Sequence, residues 1–124
     1  MIVGIGIDIV SISRFAGMIE RRPGVVDRLF TERESTLADG TRRGPASLAA
    51  RFAAKEAIAK ALGAPPGLAW HDCEVLVNDA GRPEVHARGT VAAAAEARGI
   101  ETWHLTLTHD ADSAVAQAIA EGSP

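Results

Sequence analysis

The chain has 124 residues, a formal net charge of −3, and only three Phe and two Trp as aromatic residues. This length predicts one domain over residues 1–124 with a core of Ala, Val, Ile and Leu, and the acidic balance argues against general nucleic-acid binding. No apolar run approaches the roughly 20 residues that span a bilayer, so we expect no membrane partner. The residues that directly follow Met1 have the apolar pattern of a strand, which is not the pattern of a signal peptide. The single cysteine has no internal disulfide partner. We therefore expect a cytoplasmic protein.

The first element is a β-branched strand predicted over residues 2–8, which ends at Asp8. Gly4 and Gly6 indicate close approach of a neighbouring backbone rather than a dinucleotide site, because the third glycine of that motif is missing. A carboxylate at the end of an apolar strand is costly to bury unless it is paired or bound to a metal. Asp8 is therefore either a site residue or an ordinary cap or turn residue.

Short helices are predicted to follow this strand. Ser11 or Ser13 can cap a helix that runs to about Arg22, and a helical turn is predicted over residues 25–30. The sequence of residues 31–34, TERE, is a capping box that opens another short helix.

The central helix is predicted from Pro45 to about residue 62, and it holds both lysines of the chain, Lys55 and Lys60. Arg51 and Lys55 share one face of this helix, and Glu56 and Lys60 are spaced as an i,i+4 ion pair. One interpretation is an amphipathic surface helix with an ordinary ion pair. The other is a cationic cradle for a phosphorylated ligand, with a carboxylate placed to hold a metal against it.

The second half of the chain is rich in strand patterns. The predicted elements are a strand over 72–77, a turn over 78–81, a strand over 83–87, a helix over 90–98, and strands over 102–108 and 113–120. With the first strand joining the sheet, this order predicts an α+β fold with a mostly antiparallel sheet and a long central helix. A lone histidine at a strand end, such as His109, is usually a polar turn residue.

The two halves of the chain differ in charge. Residues 1–60 carry ten Lys and Arg against seven Asp and Glu, a balance of +3, whereas residues 61–124 carry three against nine, a balance of −6. A basic face on the first half can steer an acidic partner, although a merely solvated surface explains the same counts.

Three sequence blocks together resemble the small bacterial 4′-phosphopantetheinyl transferases. They are GIGIDIV at residues 4–10, RFAAKEA with KALG at residues 51–63, and HLTLTHD at residues 104–110. The segments FTERE at residues 30–34 and GRP at residues 81–83 also match intermediate motifs of that family. All of these blocks occur in order in a chain of the family's length, which makes the resemblance specific.

The resemblance implies a fold and a reaction. The expected fold is that of the 4′-phosphopantetheinyl transferases, and the expected reaction is Mg²⁺-dependent transfer of 4′-phosphopantetheine from coenzyme A to a serine of apo acyl carrier protein. The by-product would be adenosine 3′,5′-bisphosphate, and the expected pathway is fatty acid biosynthesis. A non-catalytic nucleotide- or coenzyme-A-binding module and a structural trimer are the alternatives, but neither needs Asp8, Glu56, Lys60 and His109 together.

The resemblance also assigns roles to residues. Asp8 and Glu56 match the metal ligands. The implied catalytic residues are Glu56, Lys60, His109 and Asp110, and the choice of general base among His109, Asp110, Glu56 and a metal-bound hydroxide stays open. The implied coenzyme A contacts are Arg51, Lys55, Lys60, Gly63, Pro83, Thr108 and His109.

Partners follow from the same resemblance. Arg14 matches a position on the carrier-protein docking helix, and Arg21, Arg22 and Arg28 would extend a basic rim toward the acidic carrier. For these three arginines, plain solvation is the alternative. Members of the family are typically homotrimers with the coenzyme A site between subunits, so we expect a homotrimer.

Overall fold

The computed structural model describes residues 1–124, and its elements follow the predicted order closely. They are β1 (Ile2–Ser11), α1 (Ile12–Arg21), α2 (Gly24–Leu29), α3 (Glu32–Ser35), α4 (Pro45–Ala61), a 3₁₀ turn (Trp70–Asp72), β2 (Cys73–Val77), β3 (Pro83–Ala87), α5 (Gly89–Ala97), β4 (Ile100–Asp110) and β5 (Ser113–Gly122). None of these helices is both long enough and apolar enough to cross a membrane. The strand β1 extends to Ser11, so Asp8 lies within it and not at its end.

The strands form two antiparallel sheets rather than one. The larger sheet has the order β1-β5-β4, and the smaller pairs β2 with β3. Because β5 is central, β1 and β4 are the two edges of the larger sheet, at roughly twice the strand spacing of 4.8 Å from each other. The predicted α+β class with its long helix, α4, is confirmed.

The larger sheet has one covered face and one uncovered face. Four alanines of β5 are completely buried beneath α4: Ala114, Ala116, Ala118 and Ala120. Their register partners in β1 include Gly6 and Asp8, so these residues face α4 as well. The alternate residues Ile5, Ile7 and Ile9 point to the other face, where each is about 60% exposed.

The helix α4 lies unusually close to β1 because the contact is made by glycine and alanine. A Cβ atom placed on Gly4 would lie 2.2 Å from the carbonyl oxygen of Ala61, and one placed on Gly6 would lie 1.8 Å from that of Ala57. The prediction that these glycines mark a close backbone approach is therefore confirmed. The contact also brings residues 56 and 60, the neighbours of these alanines, to the β1 edge.

We expect Gly6→Ala to lower the free energy of unfolding by roughly 3 kcal/mol, the upper end of the usual cost of overpacking. The reason is that the obstructing atom is a helix backbone oxygen, which cannot rotate away as a side chain can. Urea unfolding of Gly6→Ala and Gly24→Ala measures the effect, since a Cβ at Gly24 meets nothing within 4 Å. Equal stability of the two variants would show that α4 can move off the sheet freely.

Candidate active site

An ion pair between Asp8 of β1 and Lys60 of α4 lies at the centre of the candidate site. The Lys60 ammonium is 3.0 Å from Asp8 Oδ1, and it also donates to the backbone carbonyl of Ile7 at 2.9 Å. The Asp8 side chain is 18% exposed, whereas half of the Lys60 side chain is exposed. Both line a cavity of about 400 Å³ at the β1 edge. The structure thus brings these two predicted residues together.

Glu56 lies one turn before Lys60, but the two do not form the predicted i,i+4 ion pair. Lys60 bonds to Asp8 instead, and the Glu56 carboxylate has no ion-pair or hydrogen-bond partner. Burial raises the pKa of Glu56, and the negative charge of Asp8 raises it further, whereas the Lys60 charge lowers it. Two neighbouring carboxylates therefore share one cation, an arrangement that a divalent cation would relieve.

The two carboxylates suit magnesium better than a metal that needs a full set of protein ligands. No group of three or more His, Cys, Asp or Glu side chains converges anywhere in residues 1–124. Mg²⁺ is commonly held by one or two carboxylates, with water and substrate phosphate completing its octahedron. The donors at Asp8 and Glu56 therefore fit the predicted ion.

Lys55 is not available to a ligand in this structure. Its side chain is 1% exposed, and its ammonium donates to Glu34 Oε1 at 2.8 Å, to the Trp70 carbonyl at 2.9 Å and to the Cys73 carbonyl at 2.6 Å. An ammonium has three hydrogens, so all of its donors are used. Lys55 is therefore a buried residue in this structure, and its predicted contact with a coenzyme A phosphate stays a prediction.

Two buried carboxylates in this region, Glu34 and Glu74, were not anticipated from the sequence, and Glu34 is the one that pairs with Lys55. Glu34 is completely buried and also accepts from the backbone N–H groups of Thr31 at 3.0 Å and Val75 at 2.9 Å. Glu74 is buried as well and accepts from the Thr31 hydroxyl at 2.7 Å. The capping box predicted the bond from Thr31 to Glu34, but it did not indicate burial. For Glu74, its position in the apolar strand β2 was the sequence feature that could have indicated burial.

A second group of predicted residues meets at the β4 edge of the larger sheet. Arg51, Pro83, Thr108 and His109 all line a cavity of about 700 Å³, together with residues 44–47 at the start of α4. The first turn of α4 contributes backbone N–H groups without intrahelical partners. The cavity therefore combines a guanidinium, an imidazole, a hydroxyl and a helix N-terminus, which are suitable groups for an anion.

Arg51 is the most constrained member of this group. It is 5% exposed, one of its terminal nitrogens donates to Ser47 Oγ at 2.7 Å, and its Nε atom is buried without any hydrogen-bond partner. Burial lowers the pKa of Arg51 to about 10, with a contribution from the nearby Arg43 and an opposing one from Glu34. The guanidinium is therefore still charged at neutral pH, and Arg51 lines the β4-edge cavity.

The remaining predicted residues are at the surface. His109 and Asp110 are exposed at the end of β4, and Asp110 accepts from the Ala111 N–H at 2.9 Å. Gly63 follows α4 with a φ of 82°, which explains why glycine ends this helix. The four arginines Arg14, Arg21, Arg22 and Arg28 are all exposed on or next to α1 and α2. None of these positions contradicts its predicted role.

Comparison with known proteins identifies the family. The model of the ACPS family, described as the 4′-phosphopantetheinyl transferase superfamily, matches residues 4–118. A holo-[acyl-carrier-protein] synthase of Streptomyces avermitilis is 60% identical over 121 residues, which cover 98% of each chain. The crystal structure of that enzyme type from Neisseria meningitidis has a TM-score of 0.86 at 30% identity, covering 98% of this chain and 99% of its own. The Helicobacter pylori structure in complex with coenzyme A has a TM-score of 0.82 at 28% identity, covering 94% and 99%. This chain therefore belongs to the 4′-phosphopantetheinyl transferase superfamily and is an enzyme of its ACPS family.

Proposed function

We propose that the chain transfers 4′-phosphopantetheine from coenzyme A to a serine of apo acyl carrier protein, in the cytoplasm and in fatty acid biosynthesis. The serine oxygen forms a bond to the phosphorus that carries pantetheine, the phosphoanhydride bond breaks, and adenosine 3′,5′-bisphosphate leaves with the bonding electron pair. The serine proton passes to a base of the site. The observation that carries this proposal is the convergence of Asp8, Glu56 and Lys60 at the β1 edge.

Asp8 and Glu56 would hold Mg²⁺ in this reaction. When bound, the ion neutralises charge on the diphosphate as the anhydride bond breaks. Asp8 and Glu56 then supply the negative charge that keeps the ion at the β1 edge. Lys60, which is half exposed beside them, is placed to donate to a phosphate oxygen of the leaving group.

The cavity at the β4 edge is proposed to bind another phosphate of coenzyme A. Arg51, whose Nε atom is buried without a partner, lines this cavity together with Thr108 and residues of the α4 N-terminus. An anion in this cavity would pair with the Arg51 guanidinium and accept from the helix N–H groups. His109 and Pro83 complete the walls. Gly63 and Asp110 remain candidate contacts from the family resemblance.

These two groups of residues lie at opposite edges of one sheet, which supports a site shared between subunits. Asp8 and Lys60 line a cavity at β1, Arg51 and His109 line one at β4, and no principal cavity contains residues of both groups. A second copy that places its β4 edge against the β1 edge of the first would unite them. Ring closure of such a contact gives a cyclic oligomer, and we propose the homotrimer typical of the family.

The uncovered face of the sheet supports the same assembly. Ile5, Ile7 and Ile9 are each about 60% exposed in the single chain, and they form an apolar row along β1. Their neighbours in β5 are Ile119, the polar Gln117 and Val115, in that order. Contiguous exposed apolar surface of this kind usually marks an interface.

We expect Ile7→Asp to convert the trimer to monomers and to abolish transfer, because a carboxylate in an apolar interface is unpaired. Sedimentation measures the mass, and circular dichroism checks the fold. Ile2→Asp, near the strand start, serves as a comparison for a charge at an exposed isoleucine of the same strand. A trimeric, active Ile7→Asp variant would contradict the proposed interface.

Carrier-protein docking is proposed to involve the exposed arginines Arg14, Arg21, Arg22 and Arg28. A basic rim of this kind accelerates encounter with an acidic protein more than it strengthens the final complex. The expected signature is a transfer rate that falls as ionic strength rises.

The proposed function is tested by the mass of apo acyl carrier protein after incubation with coenzyme A, Mg²⁺ and this enzyme. The expected result is a gain of one phosphopantetheinyl group that a chelator abolishes. No gain on carriers of fatty acid or polyketide synthesis would contradict the proposal. Gain on only one of them would identify the preferred acceptor.

A further inference from the structure

Lys60 is committed to β1 in the ligand-free chain. Its ammonium has two acceptors, Asp8 Oδ1 at 3.0 Å and the Ile7 carbonyl at 2.9 Å, and it is the only ion-pair partner of Asp8. Glu56 lies on the same side of α4 with no partner of its own. The ammonium thus supplies the single positive charge of a site that has two carboxylates.

The proposed function, on which this inference rests, requires two things of these same groups. Asp8 would have to offer a carboxylate oxygen to Mg²⁺, and Lys60 would have to donate to a phosphate. An ammonium hydrogen-bonded to Asp8 opposes the first requirement, because it repels the incoming divalent cation. It also limits the second, because two of its three hydrogens are already used and only one is left for a phosphate.

We propose that Lys60 exchanges partners when the site is loaded. In the free enzyme Lys60 neutralises Asp8 and holds the carboxylate in place. When Mg²⁺ binds, Lys60 leaves Asp8 and becomes the phosphate donor. In the loaded site every charge has a partner, since Lys60 goes from a carboxylate to a phosphate while Asp8 and Glu56 go to the metal. Lys60 can make this move because half of its side chain is exposed.

The exchange couples the binding of the two ligands. Mg²⁺ and Lys60 would compete for Asp8. The Lys60 ammonium that leaves Asp8 would then be available to the coenzyme A diphosphate. By linkage, coenzyme A strengthens the binding of Mg²⁺ by the same factor. Without Lys60 the metal loses a competitor and the coenzyme loses a donor, so the two affinities change in opposite directions.

The two-lysine composition of the chain allows a direct test by NMR of the lysine side-chain ammonium groups. Mg²⁺ alone is titrated into ¹⁵N-lysine-labelled enzyme, with carboxyl ¹³C signals of Asp8 and Glu56 reporting occupancy. The Lys60 ammonium signal should shift in step with occupancy. Lys55 is an internal control because its ammonium is buried against Glu34, so its signal should stay in place. An unchanged Lys60 signal at full Mg²⁺ occupancy would overturn the exchange.

Variants give a second readout, the affinity for Mg²⁺, which is again measured without coenzyme A. Lys60→Met should bind Mg²⁺ roughly two- to fivefold more tightly, the range expected from a partly exposed ion pair, whereas Lys60→Arg should resemble wild type. Asp8→Asn should lose the site. Equal or weaker binding by Lys60→Met, including no binding at all, would overturn the exchange. These binding measurements do not depend on activity. If the wild-type enzyme transfers phosphopantetheine but Lys60→Met does not bind Mg²⁺ more tightly, the exchange is refuted and the proposed function is not.

Discussion

Glu56→Gln is expected to lower the rate of phosphopantetheine transfer by about a hundred- to a thousandfold, the usual loss when one preorganised electrostatic group of an active site is removed. Glutamine keeps the size of the side chain but supplies no negative charge to Mg²⁺. Both the rate constant for transfer and the apparent affinity for Mg²⁺ should decrease. Coenzyme A binding through the β4-edge cavity should be much less affected, because Arg51 and His109 are unchanged.

The same variant should be at least as stable as the wild type. The pKa of Glu56 is raised in the folded protein by burial and by Asp8. At a pH between the unfolded and the folded pKa, the folded state binds the proton more, so stability falls as the pH rises through this window. Ionised Glu56 therefore destabilises the ligand-free fold at neutral pH, and glutamine removes that effect.

Urea unfolding and a carrier-protein mass assay on the same preparations measure both properties. Glu96→Gln, a change of an exposed glutamate on α5, is the matched control and should alter neither. A Glu56→Gln enzyme that turns over normally, or one that is inactive only because it is unfolded, would be evidence against Glu56 as a metal ligand.

The helical periodicity around residues 51–60 was enough to identify α4, whereas its functional role was implied by the family resemblance and stays a prediction. The glycines of β1 were correctly interpreted, because a strand glycine has few explanations other than close packing. Asp8 and Lys60 lie in separate blocks, and only the family resemblance joined them. Their direct contact depends on how closely α4 approaches β1, which is a tertiary property.

The opposite behaviour of Lys55 and Lys60 could not be predicted from their sequence positions. Both are lysines on an alanine-rich helix, five residues apart, and they therefore point in different directions. The burial of Lys55 is decided by Glu34 and by two backbone carbonyls around the 3₁₀ turn, which are 15 to 21 residues distant. Local patterns carry no information about such contacts. Likewise, the i,i+4 spacing favoured a Glu56–Lys60 ion pair, but Lys60 pairs instead with Asp8 on the neighbouring strand β1.

Lys55→Met and Lys60→Met should therefore separate stability from function on a single helix. Lys55→Met leaves the completely buried Glu34 without its counter-charge, and breaking a buried ion pair from one side typically costs about 3–5 kcal/mol. Lys60→Met removes a partly exposed pair, for which the expected cost is at most about 1 kcal/mol. The transfer rate should show the reverse order per folded molecule, with the larger loss in Lys60→Met.

A double variant makes this prediction decisive even where Lys55→Met is too unstable to purify. In Glu34→Gln/Lys55→Met neither buried charge remains, so a substantial part of the lost stability should return, because the penalty of the single variant comes mainly from the unpaired carboxylate. Restored stability with near-normal coenzyme A affinity would establish Lys55 as a core residue. A stable Lys55→Met variant that binds coenzyme A poorly would instead mean that Lys55 leaves Glu34 for a phosphate. That outcome would support the phosphate-binding role that the family resemblance implies for Lys55.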